Sequence, residues 1–484
     1  MASLLTIPLE LLVSISSHLP TSDLAALRLT CKQIEKSLYE WFSKEFFTKK
    51  QFMLTHASIQ ALVDISKHVS FSKKLTHVIV ASNVYDEVPL RFRASEAATR
   101  YIQGYEDQTA LLTTGTDREM LTEAFSNLVN LETVGIRDFN SPSRVRDGDR
   151  ATWSSWGATT VYHETGVSLQ FSDRGVSMHQ AGSRFISRVF STVLYSLGKA
   201  NSRPSQIEVL LREHGLPDTA FILPPFHHTT TGSVLQNVKT MLLNVDLSTR
   251  FFHTYSSGTP ADPHAGRSLR RFLGYTPNLV HLRLNFQKHL FAYNEDFLEW
   301  LGTPVPTPGS QPESFLDPAS IALHSLKQLD FGQLSVRADI LLAIVSKFAP
   351  TLEGMSFWRM ALRLHVAPPH GHKPNLWADF FTNLSKIPQL QLKTLKVGMI
   401  QQDHMHVNFE EGDNVPMGKE KEYTGKEMGK FLEDLSEKVY VHWPKDIPQL
   451  DQNSNADSDE EMADEDNEDE ERDEEEEEEG EEEE

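Results

Sequence analysis

The side chains able to do chemistry in this chain are few and poorly grouped. Cys31 is the only cysteine, which excludes an intramolecular disulfide and any multi-cysteine zinc site and suits a reducing compartment. It lies in a segment that reads as a helical contact surface, not as a nucleophile's pocket. Histidines pair at His227-His228, His370/His372 and His404/His406. A metal centre needs three or four convergent ligands with supporting partners. Two histidines within Pro368-Pro369-His370-Gly371-His372 read instead as solvated loop residues. There is no Gly-rich phosphate loop ending in Lys-Ser/Thr, no dinucleotide fingerprint and no Gly-x-Ser-x-Gly elbow. Body carboxylates are scattered, and no spacing singles out an acid/base pair. The expectation is a chain with no catalytic residue, no metal and no cofactor, which acts by binding.

Charge is concentrated at one end. Net charge is −22. From Asp457 to Glu484, 22 of 28 residues are Asp or Glu, and Arg472 is the only base. The rest of the chain is close to neutral and has no dense Lys/Arg run, so direct nucleic-acid binding is not expected. Met462 and Ala463 are the only apolar residues of the tail. Its like charges repel with nothing to bury, so residues 451–484 are expected to be disordered. Such a tail serves as a solubilising appendage or as an arm for basic proteins such as histones or ribosomal proteins. Ser458, followed by Asp459-Glu460-Glu461, stands in a context that acidophilic kinases prefer. No window holds about 18 uninterrupted apolar residues, so no transmembrane helix and no membrane partner are expected.

The elements that must position any binding surface begin at the N-terminus. Leu11, Leu12, Ile15 and Leu19 recur at helical spacing on one stripe. Pro8 stands at the start of that helix and Pro20 closes it. Ser22 or Asp23 can cap a second helix carrying Leu24 and Leu27. Ile34, Leu38, Trp41 and Phe42 continue the apolar face into a third. Three helices in about 45 residues cannot bury this much apolar surface among themselves. The opening lacks a basic region and Glu10 interrupts its apolar run, which argues against a secretory signal.

The run Ile7-Pro8-Leu9-Glu10-Leu11-Leu12, Ile15, Leu19-Pro20, Asp23-Leu24, Leu27 and Thr30-Cys31-Lys32 resembles the F-box without a gap. It departs from the usual pattern at Ile7, Thr30 and Ile34, none of which places a charge on the stripe. The resemblance implies a three-helix unit over residues 1–46 that docks a Skp-type adaptor, and through it a cullin scaffold, in a ubiquitin ligase. The residues it implicates are Ile7, Pro8, Leu11, Leu12, Ile15, Leu19, Leu24, Leu27 and Cys31.

The long body, residues 47–450, repeats one order: helix, short turn, strand. Leu269–Leu273 leads to Leu279-Val280-His281-Leu282-Arg283-Leu284, Ile340–Val345 to Leu352–Phe357, and Trp377–Phe381 to Leu392–Val397. Met120–Phe125 leads likewise to Leu131–Ile136. Further strands fit the template from Leu75, Val238 and Leu326, with Ile207–Leu210 as a degenerate one. This order resembles the irregular leucine-rich-repeat arrays that often follow an F-box. Strand spacings are wider than in regular repeats, and the Asn that follows a regular strand appears only as Asn83. A generic α/β domain with helices on both sides of a sheet competes with this reading. Insertions are expected at Asn140–Gly182, Ser256–Gly266 and Gly302–Pro318.

The fold expected is α/β: a three-helix F-box, a curved leucine-rich-repeat-like stack of strand–helix units, and a disordered acidic tail. In that fold the residues between the apolar strand positions face a ligand-binding side. They are Arg137, Asn244, Arg283, Asn285, Asp330, Trp358 and Lys396, with Trp358 and Arg283 the best anchors by type. The expected function is substrate recognition for a Skp–cullin–F-box ligase, cytoplasmic and/or nuclear, with an unknown protein target. The alternative is an acidic-tailed chaperone or binder of basic proteins.

Overall fold

The structure is a computed structural model. It describes residues 4–86, 92, 94–142, 145–148, 151–171, 178–247, 266–287, 291–306, 318–364, 373–410 and 418–443. The acidic tail with Ser458, the His370/His372 pair and most of two expected insertions, Ser256–Gly266 and Gly302–Pro318, lie outside these residues.

Three helices open the chain: α1 (Leu9–Ser17), α2 (Thr21–Leu29) and α3 (Lys32–Phe47). Pro8 and Pro20 each stand immediately before a helix, where an absent N–H costs nothing. Leu12, Leu24, Ile34 and Leu38 form the closed centre of this unit.

The body is built on one sheet whose parallel strands follow chain order. These are β1 (Lys49–Met53), β2 (His77–Ala81), β3 (Thr133–Arg137), β6 (Gln206–Leu210), β8 (Thr240–Asp246), β9 (His281–Phe286), β10 (Gln328–Gly332), β12 (Gly354–Trp358) and β14 (Thr394–Gly398). The short pairs β4 (Ser141–Pro142) and β5 (Thr152–Trp153) lie in the insertion after β3, and β7 (Leu216–Pro217) adds to β8. Sequential order without reversal is the topology of a coil that adds one strand per turn; a doubly wound sheet would reverse at a switch point. The strands expected near 279, 326, 352 and 392 are parallel neighbours in register.

The strands expected from Leu75, Leu131, Val238, Leu279, Leu326, Leu352 and Leu392 each start two residues later than the apolar template suggests. Leu279, Leu326 and Leu352 sit in the preceding turn, yet all are buried. They point inward with the strand residues they precede.

Between the strands run α4 (His56–Lys67), α5 (Phe71–Lys74), α6 (Ser95–Thr114), α7 (Thr116–Asn127), α8 (Ala158–Thr165), α9 (Met178–Ala200), α10 (His228–Leu235), α11 (Arg267–Leu273), α12 (Phe291–Gly302), α13 (Ala338–Phe348), α14 (Leu376–Leu384) and α15 (Met428–Lys438). One continuous apolar core joins helix residues such as Phe125, Phe190, Phe272, Ile344 and Trp377 to alternate strand residues from Val78 to Val397. Period-two alternation therefore sends the intervening strand residues to the opposite side.

A second small sheet runs beside the first: β11 (Ser335–Val336), β13 (Ala361–Leu362) and β15 (Gln401–Gln402) in parallel, then β16 (Met405–Phe409) and β18 (Val439–Val441) antiparallel. Two residues separate β10 from β11, β12 from β13 and β14 from β15. At each junction the first is left-handed: Gln333 (φ 53°), Arg359 (φ 50°) and Met399 (φ 48°). This conformation is unfavourable for a residue with a Cβ. A backbone ladder holds it, with Gln333 N–H donating to Trp358 O and Arg359 N–H to Gly398 O, both at 3.0 Å. The corner thus turns without the Asn expected there. The antiparallel β17 (Glu420–Thr424) closes the main sheet on β14; neither it, β16 nor β18 was anticipated, since their charged or short runs carry no helix–turn–strand signature.

Candidate functional site

Two surfaces stand out. On the N-terminal unit, Leu11 and Ile15, four residues apart on α1, are 56% and 47% exposed. Leu4, Leu5 and Leu29 are exposed as well, and Pro8 is open to solvent. Exposed leucines this dense on about 45 residues form a patch of the kind that marks a protein contact. The residues expected to dock a partner separate into two sets. Pro8, Leu11 and Ile15 face solvent, whereas Leu12 and Leu24 are sealed in the centre of the unit. Ile7, Leu19, Leu27 and Cys31 lie half-buried against that centre.

The unit is bound to the body at two places. Asp147, in the insertion after β3, accepts hydrogen bonds from Thr21 N–H and Thr21 Oγ1–H, both at 2.7 Å. It caps α2 from 126 residues away, which corrects the expectation that Ser22 or Asp23 would do so. Its neighbour Arg146 pairs with Glu45 at 3.1 Å and lies over the rings of Trp41 and Phe46. On the other side Phe47 stacks on Phe71 with ring centres 4.0 Å apart.

The second surface is a groove of about 620 Å³ over the strand face turned away from the helices. It runs from β6 to β17. Asn244, Arg283, Asn285, Asp330, Trp358 and Lys396 all line it. Register explains the grouping: Arg283, Asp330, Ser356, Lys396 and Glu422 stand opposite one another on successive strands, as do Asn244 and Asn285 two residues further on. Three glycines keep this floor shallow. Asn285 lies across Gly332, Gln328 across Gly354 and the Trp358 ring across Gly398, each where a Cβ would clash. Lys396 Nζ sits 4.9 Å over the Trp358 ring. Asp330 bridges His281 Nε2 at 2.6 Å and accepts from Gln328 Nε2–H at 2.7 Å.

Arg137 is the exception among the expected contacts. It is 3% exposed and does not line the groove. The insertion after β3 folds over β1–β3 and seals that part of the face. Gln51 Nε2–H donates to Phe139 O and Ser155 Oγ, Ser155 Oγ–H donates to Asn83 Oδ1 at 2.6 Å, and Arg137 Nη1–H donates to Ser141 Oγ. Beneath it, burial first, then the charges of Lys49 and Arg137, hold His77 well below the ordinary histidine range. Contacts from residues 51 to 155 decide this covering, which strand periodicity alone cannot reveal.

Residues that the sequence did not single out complete the groove: Phe139 and Arg212 at its head, Arg359 and Glu422 at its foot. Asp138 places the Arg212 corner by accepting N–H bonds from Arg212 and Glu213 at 2.8 and 2.9 Å. Its burial raises the carboxyl pKa from the ordinary 3.8 to about 6. Among the described residues no group of three or more His, Cys, Asp or Glu could hold a metal ion, and no helix is long and apolar enough to cross a membrane.

Comparison with known proteins agrees with the N-terminal unit. The F-box domain family model matches residues 4–37. No curated protein matches the chain. An F-box domain indicates binding of a Skp-type adaptor and thereby of a cullin. With three helices, an outward leucine patch and the family match on the same residues, the chain carries an F-box domain at residues 4–37.

Proposed function

We propose that this chain is a non-catalytic substrate receptor of a Skp–cullin–F-box ubiquitin ligase. Pro8, Leu11 and Ile15 contact the adaptor, and Leu12 and Leu24 support them from within. The body is read as an irregular leucine-rich-repeat array, and its groove, lined by Asn244, Arg283, Asn285, Asp330, Trp358 and Lys396, takes the target protein. Trp358 is the anchor of choice, a large flat side chain that loses little freedom on binding. The mechanism is proximity. A target held in the groove is kept near the charged ubiquitin carrier, which raises its effective concentration without chemistry by this chain.

The observation that carries this reading is the presence, in one chain, of a matched F-box domain and a polar groove joined by the Asp147–Thr21 contact. The test is co-precipitation from cells of adaptor, cullin and ubiquitinated proteins with the full chain. Leu11→Glu/Ile15→Glu should lose adaptor and cullin and retain target. Trp358→Ala should retain adaptor and lose target. Adaptor capture undiminished by the double charge would refute the docking face, and an unchanged target set with Trp358→Ala would refute the groove.

A further inference from the structure

The floor of the groove is tiled in one direction. Asn285 of β9 lies over Gly332 of β10, Gln328 of β10 over Gly354 of β12, and the Trp358 ring of β12 over Gly398 of β14. A side chain laid down on a glycine offers its broad side and not its tip, so the floor stays low along its length. Charge does not select the occupant. Arg283, Asp330, Lys396 and Glu422 follow one another across the strands with alternating sign. Hydrogen-bonding capacity, by contrast, is left over. The Asn285 amide, the Ser356 hydroxyl and the Trp358 indole N–H all line the groove, and among the described residues none of them is engaged in a hydrogen bond. An amide and a hydroxyl both donate and accept, which is what a peptide main chain asks for.

The dimensions narrow the class of occupant. From β6 to β17 the groove crosses six strand spacings, roughly 29 Å. Its floor is about five strand residues wide, from Gln328 to Gly332 on β10, or roughly 13 Å. The product, about 380 Å², is half of the roughly 800 Å² that each partner of a stable folded complex contributes. It matches one extended chain of about eight residues, at 3.3–3.6 Å each.

We infer that the groove takes an extended, unfolded peptide segment of about eight residues laid across the strands. Its main chain bonds Asn285 and Ser356, and one flat apolar side chain, proline or aromatic, stacks on the Trp358 ring. That the segment belongs to a ligase target rests on the function proposed above; that the groove holds such a segment stands on the floor and its dimensions.

The probe is a phage-displayed library of random twelve-residue peptides, selected on the full chain. Enriched sequences should share a proline or aromatic position. The affinity of the corresponding free peptides, read by fluorescence anisotropy, should fall about tenfold or more for Trp358→Ala. Gly398→Ala keeps the ring but displaces it from the sheet, and a similar loss is expected. Asn285→Ala/Ser356→Ala leaves ring and glycines untouched and should cost about fivefold or more. Failure to enrich any peptide, or affinities indifferent to Trp358→Ala or to the Asn285/Ser356 pair, would overturn the inference. If Trp358→Ala loses the target in cells while no linear peptide binds, the groove reads a folded surface, and this inference alone fails. If peptides bind as expected while the captured target set ignores Trp358→Ala, the receptor reading alone fails.

Discussion

Leu11 and Trp358 both lie outside the cores beneath them, and for different reasons. Leu11 lies on a unit with four fully buried apolar residues; so small a centre leaves leucines over, and their exposure would drive the proposed docking. Trp358 lies on a sheet whose other face is buried in a core running from Phe52 to Val441. Its display costs that core nothing, and its neighbours are polar. An apolar patch on a marginal unit suits a contact that completes a core. A polar floor on a stable sheet suits a contact that discriminates by hydrogen bonds and charge. Binding and stability should therefore be coupled in the first region and separable in the second.

The sharpest test of that contrast is the docking face. Leu11→Glu/Ile15→Glu would bury unpaired carboxylates at the adaptor contact, a loss on the order of several kcal/mol and so of 100-fold or more in affinity. Helix content by circular dichroism should be unchanged, since both side chains already face water. Isothermal titration with purified adaptor measures the loss.

Next in size is the centre of the same unit. Leu24→Ala should cost about 2–5 kcal/mol. Because that centre is small, a low-temperature transition should split off ahead of the body's unfolding in calorimetry, and adaptor affinity should fall with it. Trp358→Ala should instead leave the melting profile nearly unmoved. A single unshifted transition in Leu24→Ala would break the proposed coupling.

A pH effect should report on the groove region alone. The Asp138 carboxyl is raised from 3.8 to about 6, with burial opposed by two N–H bonds. A raised carboxyl favours the folded state most below its unfolded pKa, and this contribution is lost as pH rises through about 6. The swing is roughly 2–3 kcal/mol between about pH 4 and pH 7. Asp138→Asn removes it, so the variant should gain that much relative to wild type over this window in urea titrations. A flat difference would show that the carboxyl is not held as the structure implies.

The smallest effect belongs to the joint. Asp147→Ala removes the cap of α2 and should cost about 1 kcal/mol. Amide exchange should quicken across Thr21–Leu24 while the strands stay protected. Equal protection in both proteins would mean that the two regions are held together mainly by Phe47 and Phe71.

Much of this was legible along the chain. The helical stripe from Leu11 to Leu27 and the helix–turn–strand order from Leu269 to Val397 are local patterns. Local patterns survive because a helix or strand must turn its apolar side to something, whatever that is. The parallel sheet followed from that order, and six of seven chosen polar residues share one groove because period two puts alternate residues on one face. Strand edges slipped by two residues because Leu279 and its equivalents are buried in turns as fully as in strands.

Element type, element order and the face to which each side chain alternates are thus written in local spacing. Packing between distant segments settles which stripe residues stay inside, Leu12 and Leu24, and which face solvent, Leu11 and Ile15. It alone capped α2 with Asp147 and closed the face above Arg137 with Ser141, Ser155 and Asn83. The physical reason is range. Periodicity is set by bonds to residues three or four away, whereas exposure is set by whatever distant segment packs on top, and hydrogen bonds spanning up to 129 residues leave no trace in local spacing.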